Sequence, residues 1–207
     1  TSTGDLDGRV FSLSPDGNWL LFSRSDEDEE IINTLWVVKA DPQNQILVDL
    51  KVQNVIHFAD WVPDDEQSVA FSTVEPRMSA PGWQANNDLV VRKFSESGWS
   101  VVSYEVLEPG YVGVYGWWGT EFRYSPEGEY VAYASPDQVG IIDVETGDMQ
   151  PYIKMPPFRT TGDWAWMSGL GVGPLGNTIY AVDHVSPEGQ EGTLAAEESQ
   201  QFDLIAI

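Results

Sequence analysis

Apolar residues occur along the chain in short runs, and clusters of polar, glycine and proline residues separate these runs. The run Trp19-Leu20-Leu21-Phe22 is almost continuously apolar, which is typical of a strand covered on both faces. Helical spacing of apolar residues is nearly absent, and only the stretch from Leu194 to Gln200 could form a short turn of helix. The pattern therefore predicts an all-β protein made of short antiparallel strands.

A turn followed by an apolar strand recurs four times along the chain. Each copy carries a proline in the turn, and these prolines are Pro15, Pro63, Pro126 and Pro174. The intervals between them are 48, 63 and 48 residues, and the longer interval includes an insertion rich in Pro, Gly, Ala and Asn at Pro76 to Asn87. Such a recurrence indicates that one supersecondary unit is used four times.

Each unit is predicted to be a four-stranded meander, and the units cover about residues 9–51, 55–108, 120–155 and 163–207. The fourth unit is expected to begin near residues 163–166 and to lack its fourth strand. Repeats of about 40 to 50 residues with four strands each are typical of the blades of a β-propeller. A sandwich of two sheets with Greek-key connections is the alternative all-β fold. The recurrence of the turn at one place in each unit favours the propeller.

The turn Ser14-Pro15-Asp16-Gly17 has residues suited to a tight reversal, because proline presets φ and glycine accepts a positive φ. The same reasoning predicts a positive φ at Gly147, within the hairpin turn Glu145 to Asp148. The acids Asp16 and Glu127 are expected to cap their turns through bonds from side chain to backbone, rather than to act in catalysis.

A family resemblance rests on the first and third units. The segment Phe11-Ser12-Leu13-Ser14-Pro15-Asp16-Gly17-Asn18-Trp19-Leu20-Leu21-Phe22-Ser23, followed by Leu35-Trp36-Val37-Val38, resembles the TolB-like (PD40, or WD40-like) β-propeller repeat. The segment Phe122 to Tyr133, with Val139 to Val144, is similar, and the second and fourth units match more loosely. The resemblance concerns a structural repeat, so it speaks for a fold and not for a particular function.

The resemblance implies a propeller with more blades than the four units found here, because such propellers usually have six or more. We therefore expect that the chain is a segment of a larger propeller, or that a missing strand is supplied from elsewhere. The resemblance and the acidity together imply a bacterial protein that is periplasmic, secreted or exposed at the cell surface. Related propellers also accompany the serine peptidase domains of prolyl-oligopeptidase-like enzymes.

The chain is strongly acidic, with 10 basic and 33 acidic residues and a formal net charge of −23. This balance argues against binding to nucleic acid or to an anionic membrane surface, because both need clustered Lys and Arg. No apolar run approaches the roughly 20 residues that span a bilayer, so we expect no membrane insertion in this segment. The absence of cysteine excludes disulfides, thiolate metal sites and a cysteine nucleophile.

Candidate catalytic and metal-binding groups are few. The acidic run from Asp26 to Glu30 could hold Ca²⁺, but it lacks the spacing of a preorganised loop, so a solvated loop is favoured and no cofactor is expected. The two histidines are His57 and His184, and no Gly-x-Ser-x-Gly motif accompanies them. We therefore expect this chain not to be an enzyme, and any peptidase domain would lie outside it.

The most distinctive candidate site is a link rich in glycine and aromatic residues before the third unit. It contains four aromatic residues close to Glu121, namely Tyr111, Tyr115, Trp117 and Trp118. Aromatic rings with a nearby carboxylate can stack on sugars or hold cationic groups, whereas packing between blades is the structural alternative. Trp83, in the Pro- and Gly-rich insertion, is a second candidate for an exposed anchor.

Three functions are compatible with these features. The first is a non-catalytic propeller that binds a protein or a polymer such as a polysaccharide. The second is a carbohydrate-binding or glycan-processing propeller, which the aromatic residues before Glu121 would serve. The third is the accessory propeller of a prolyl-oligopeptidase-like peptidase. The sequence does not set the oligomeric state, the ligand or the total number of blades.

Overall fold

The computed structural model describes residues 10–25, 33–53, 55–76, 83–85, 89–95, 98–100, 120–135, 138–154, 168–184 and 201–207. These residues form strands and turns without any helix, and the paired strands of the four sheets run antiparallel. The prediction of an all-β protein is therefore confirmed for this part of the chain. The chain divides into two compact units, Thr1–Pro76 with Asp88–Glu108, and Arg77–Asn87 with Pro109–Ile207.

The first unit contains two sheets. The strands of the first sheet lie in chain order as a meander, and they are β1 (Val10–Leu13), β2 (Trp19–Ser25), β3 (Asn33–Lys39) and β4 (Leu47–Gln53). The strands of the second sheet follow in the order β5 (Val55–Trp61), β6 (Ser68–Pro76), β8 (Val90–Ser95) and β9 (Gly98–Ser100). The short strand β7 (Trp83–Ala85) lies outside this order, in the stretch Arg77–Asn87 that belongs to the second unit. Buried residues of both sheets, including Leu21, Val37 and Val69, share one core.

The second unit also contains two sheets. A four-stranded meander takes, in order, β10 (Glu121–Tyr124), β11 (Tyr130–Ser135), β12 (Gln138–Asp143) and β13 (Met149–Lys154). A three-stranded meander takes β14 (Leu170–Val172), β15 (Ile179–His184) and β16 (Phe202–Ala206). The outward face of this smaller sheet exposes Tyr180, Phe202 and Leu204.

The two sheets of the second unit pack through one face of each. Ala132 and Ala134 of β11 lie against Ile179 and Ala181 of β15 in a shared core. The opposite face of β11 is also buried, since Val131 and Tyr133 have no exposed surface. The apolar run of β11 is therefore covered on both faces. Burial of both faces was predicted for the apolar run of β2. That prediction holds only in part, because Trp19 and Leu21 are buried whereas Leu20 and Phe22 are partly exposed.

Three of the four repeated turns close with the same backbone hydrogen bonds. Ser14, Ser125 and Gly173 each donate to the carbonyl five residues ahead, and each accepts from the glycine three residues ahead. Those three glycines have φ between 68° and 73°, and Gly147 has φ 75°, as predicted. The second turn is one residue longer, and there the positive φ falls on Asp64.

The structure adds two strands that the pattern of residues did not predict. β14 lies directly before the fourth turn, whereas the predicted opening strand at residues 163–166 lies outside the described residues. β7 lies within the stretch that was predicted to be an insertion. None of the residues that the structure describes belongs to a helix with the length and apolar character needed to cross a bilayer.

Candidate functional site

Of the predicted binding residues, Glu121 is the one whose side chain the structure describes. Trp83 belongs to β7, but its side chain lies outside the description. The four aromatic residues of the link, Tyr111, Tyr115, Trp117 and Trp118, also lie outside the described residues, so their grouping with Glu121 stays a prediction.

Glu121 joins the two sheets of the second unit. It begins β10, and its carboxylate accepts a hydrogen bond from the backbone N–H of Leu170 on β14. Arg123, two residues along the same strand, places Nη2 2.8 Å from Oε1 of Glu121. Burial raises the pKa of the Glu121 carboxyl above its usual value, and the charge of Arg123 opposes that rise only in part. The described contacts of Glu121 are therefore structural.

The acid of the first turn is also occupied by local bonds. The Asp16 carboxylate accepts hydrogen bonds from the Ser14 hydroxyl and from the backbone N–H of Asn18, while the Ser14 hydroxyl accepts one from Trp19 N at 2.9 Å. The bond from Ser14, followed by that from Asn18, lowers the pKa of Asp16 below its usual value. The prediction that Asp16 caps its turn is confirmed.

Arg92 has a comparable structural role in the first unit. Its Nη1 lies 3.0 Å from the carbonyl oxygens of Leu50 and Lys51, and its guanidinium lies 5.4 Å from the centre of the Phe71 ring. Burial lowers the pKa of Arg92 from its usual value. The guanidinium thus satisfies carbonyl groups at a point where Lys51 has a positive φ of 56°.

Glu127 occupies a different position from its counterpart Asp16. Its carboxylate lies against Gly176 of the fourth turn, so that a Cβ atom added to Gly176 would stand 2.7 Å from Oε2. Pro126 lies beside the same glycine. The third and fourth turns therefore contact each other within the second unit, and a carboxylate lies at their junction.

A groove opens beside this junction, between the two sheets of the second unit. Its volume is about 320 Å³. The lining consists of two tyrosines, three isoleucines and the end of the fourth turn, namely Tyr130, Tyr152, Ile141, Ile179, Ile207 and residues 176–178. Ile179 and Ile207 exchange two backbone hydrogen bonds of 2.9 Å, which join the start of β15 to the residue that follows β16.

Tyr130 lies at the end of the groove next to the fourth turn, which we call the inner end. Its hydroxyl donates a hydrogen bond of 2.8 Å to the carbonyl oxygen of Gly176. Burial raises the pKa of Tyr130, and the neighbouring Tyr152 and Glu127 raise it further. The phenol therefore stays protonated and acts as a donor. Tyr152 lines the same groove, and Glu127 lies against Gly176, whose carbonyl oxygen accepts the bond from Tyr130.

The outer part of the groove is accessible. The Tyr152 side chain is 44% exposed, and Asn177 at the end of the fourth turn is also exposed. The groove thus combines an apolar floor, two aromatic rings, an amide and an adjacent carboxylate. Such a set can bind an elongated apolar group with a polar or cationic head, but the described lining holds no paired acid and base suited to proton transfer.

The sequence did not indicate this groove, because its residues are far apart along the chain. Tyr130 follows one repeated turn, Gly176 ends another, and Tyr152 lies in an edge strand. The available signal was the difference between equivalent turns: the third keeps an acid at Glu127, while the fourth has Leu175 there and lacks one. Knowing that the third and fourth turns contact each other would have placed Glu127 beside the groove.

The other candidate metal-binding and catalytic residues predicted from the sequence have side chains outside the described part of the structure. The acidic run from Asp26 to Glu30 lies outside the described residues, and the side chains of His57 and His184 do as well. Within the described part of the chain, no three His, Asp or Glu side chains lie close enough together to hold a metal ion.

Comparison with known proteins does not assign the chain to a family. No protein-family model matches the sequence, and no curated protein matches it at a significant level.

Proposed function

We propose that the chain is a segment of a β-propeller that serves as a protein-binding scaffold, with the groove of the second unit as the binding site. The observation that carries this proposal is the groove itself. It presents two tyrosines and three isoleucines between two packed sheets; tyrosine is enriched among the anchor residues of protein interfaces, and the buried centre of such interfaces is apolar.

The propeller part of the proposal draws support from the way the sheets meet within each unit. In the first unit, the Ser12 hydroxyl on β1 donates a 2.9 Å hydrogen bond to Asp60 on β5. In the second unit, Glu121 on β10 accepts a bond from Leu170 on β14. In both cases the first strand of one sheet contacts the first strand of the next. Blades of a propeller meet in this manner, with equivalent strands nearest the central axis.

A selection experiment tests the binding function. Random peptides displayed on phage would be selected against the purified chain, and affinities of the enriched peptides would be measured by calorimetry. We expect Tyr152→Ala to weaken binding about tenfold or more, because truncating an aromatic anchor typically costs that much affinity. The matched control is Tyr180→Ala, since Tyr180 is 41% exposed but lies on the outward face of β15. Peptides that bind Tyr152→Ala as tightly as the unchanged chain would refute the groove as the site.

Carbohydrate binding is a second candidate, and one observation favours it. The exposed ring of Tyr152 lies in the same groove as the amide of Asn177 and the hydroxyl of Thr178, and such a ring with neighbouring hydrogen-bonding groups can hold a sugar. A glycan array probed with the unchanged chain and with Tyr152→Ala distinguishes the two. Binding of glycans that depends on Tyr152, without binding of selected peptides, would replace the first candidate by the second.

A further inference from the structure

The groove of the second unit has a chemical preference that follows from its surroundings. Resting on the proposed protein-binding function, we infer that it accepts one basic side chain, lysine or arginine, of a partner protein. The aliphatic stem lies along Ile141, Ile179 and Ile207, and the cationic head lies at the inner end, near Glu127 and the two tyrosine rings.

The floor of the groove suits an aliphatic stem. Three isoleucines line it, and Ile141 and Ile179 belong to facing sheets, so the floor is apolar on both sides. A volume of about 320 Å³ accommodates one long side chain with room for its head group and some water. Lysine and arginine bury their methylene stems along apolar surface of this kind while the charge stays near water.

The inner end of the groove suits a positive charge. The Glu127 carboxylate lies against Gly176, a groove residue whose carbonyl oxygen accepts the hydrogen bond from the Tyr130 hydroxyl. Ion pairs of the described residues join Lys51 to Asp49, Lys93 to Asp65 and Arg123 to Glu121, and none of them uses Glu127.

In the described part of the second unit, the basic residues are Arg123 and Lys154, and neither is paired with Glu127. Arg123 pairs with Glu121, and Lys154 lies opposite Gln138 in the register of β12 and β13. A carboxylate beside an open groove, in a chain of net charge −23, attracts a cation and repels an acidic group.

The two tyrosine rings add to the preference for a cation. A lysine or arginine head over the face of a tyrosine gains electrostatic attraction from the ring, and this gain increases where water is partly excluded. Tyr152 contributes an exposed ring and Tyr130 a half-buried one. An uncharged aliphatic side chain would use the same floor but gain nothing from the rings' charge distribution or from Glu127.

Small amino-acid derivatives test the inference directly. The probes are the N-acetyl methylamides of lysine, arginine and norleucine, the last having a similar stem without a charge. Each is titrated into the ¹⁵N-labelled chain at about 0.15 M salt, a condition in which exposed charges are partly screened. The backbone amide signals of Asn177 and Thr178 report occupancy of the groove. We expect the lysine and arginine derivatives to bind roughly tenfold more tightly than the norleucine derivative.

A pair of variants assigns the preference to its source. Glu127→Gln should remove most of the discrimination and leave the affinity for the norleucine derivative unchanged. Glu129→Gln is the control, because it removes the same charge from an exposed side chain, whereas Glu127 is the acid that lies against the groove residue Gly176; the control should preserve the discrimination. Equal affinity for all three probes would overturn the inference, and so would a preference that survives Glu127→Gln. Selected peptides whose binding depends on Tyr152 would still support the binding function in either case. No shift at the groove with any probe, together with a failed peptide selection, would overturn both.

Discussion

The Glu127 carboxylate and Gly176 lie in direct contact, close enough that a Cβ atom at Gly176 would stand 2.7 Å from Oε2. The contact joins the turn between β10 and β11 to the turn between β14 and β15. It requires two features at once, since the φ of Gly176 is +68° and its missing side chain leaves space for the acid. Two copies of one repeated turn thus build the inner end of the groove.

Replacing this glycine should therefore affect both stability and binding. Gly176→Ala places a Cβ atom in a left-handed conformation, which costs about 1 to 2 kcal/mol of the free energy of unfolding. It also displaces the Glu127 carboxylate, so the preference of the groove for basic probes should decrease. Gly17→Ala is the control, because Gly17 has φ +73° and open space around it.

Thermal or urea unfolding of both variants, with the probe titrations, checks this expectation. The two variants should lose similar stability, because the far end of an exposed glutamate can move at little cost. Only Gly176→Ala should change the binding. A much larger loss of stability for Gly176→Ala than for Gly17→Ala would show that Glu127 is held rigidly.

The fourth turn lacks a hydrogen bond that two others possess. Ser14 and Ser125 accept bonds from the backbone N–H groups of Trp19 and Tyr130, and Gly173 holds the equivalent place with the same backbone closure. Gly173→Ser should thus supply an acceptor for the N–H of Thr178. We expect a gain of about 1 kcal/mol in the free energy of unfolding, from the new bond and from lower backbone freedom in the unfolded chain.

Gly173→Ala separates the two contributions to that gain. A Cβ atom at Gly173 meets the Thr178 carbonyl oxygen at 3.4 Å and Tyr180 at 3.7 Å, so it fits with little adjustment. The serine variant should be more stable than the alanine variant in urea unfolding. Equal stability of the two variants would mean that the hydroxyl does not reproduce the bond seen at Ser14.

The turns and most strands of this chain follow local rules, so the sequence predicts them. Prolines and glycines define the turns, and the left-handed glycines Gly17 and Gly147 were placed correctly because only the turn type matters there. Strand positions followed from apolar runs such as that of β11. β14 was missed, since three residues containing a glycine, Leu170 to Val172, carry almost no pattern of their own.

The groove was beyond such rules for a different reason. It depends on which turn faces which, and this is a long-range property of the packing of β10–β13 on β14–β16. The expected role of Glu127 shows the limit: its turn matched that of Asp16 in residue type, but its carboxylate lies against Gly176 of the neighbouring turn. Sequence similarity between repeats predicts their shared backbone, whereas function depends on where their side chains differ.

Gly140 is a position where a small residue is required by packing. It lies in β12 at an irregularity of the pairing with β13, and a Cβ atom there would overlap the backbone, with Pro151 Cα at 2.7 Å. Backbone atoms cannot move aside as a side-chain end can. Gly140→Ala should therefore destabilise the chain by roughly 1 to 3 kcal/mol, the usual cost of overpacking.

The control for Gly140 is another strand glycine with free space. A Cβ atom at Gly171 would meet only Tyr180 Cβ, at 3.9 Å, so Gly171→Ala should be neutral or slightly stabilising. Urea unfolding followed by tryptophan fluorescence compares the two. Retention of full stability by Gly140→Ala would mean that β13 can shift away from β12 at that point.

Glu121 provides a prediction about pH. Because burial raises its pKa in the folded protein above the ordinary value of 4.5, the charged form is less favourable in the folded than in the unfolded chain. Glu121 therefore contributes most to the stability of the folded state at pH values below its ordinary pKa. That contribution is lost as the pH rises through the raised pKa of the folded protein. Glu121→Gln carries no charge to bury, and its amide oxygen can still accept the bond from Leu170.

The difference in unfolding free energy between Glu121→Gln and the unchanged chain should consequently move in favour of the variant from about pH 4 to about pH 8. Urea unfolding at several pH values measures it, and the comparison cancels the titration of all other groups to first order. Glu129→Gln shows the general effect of removing one negative charge from a chain of net charge −23, and it should lack this trend or show it weakly. If the difference instead moves in favour of glutamate as the pH rises, the ion pair with Arg123 outweighs the cost of burial, and Glu121 is held as a stabilising charge.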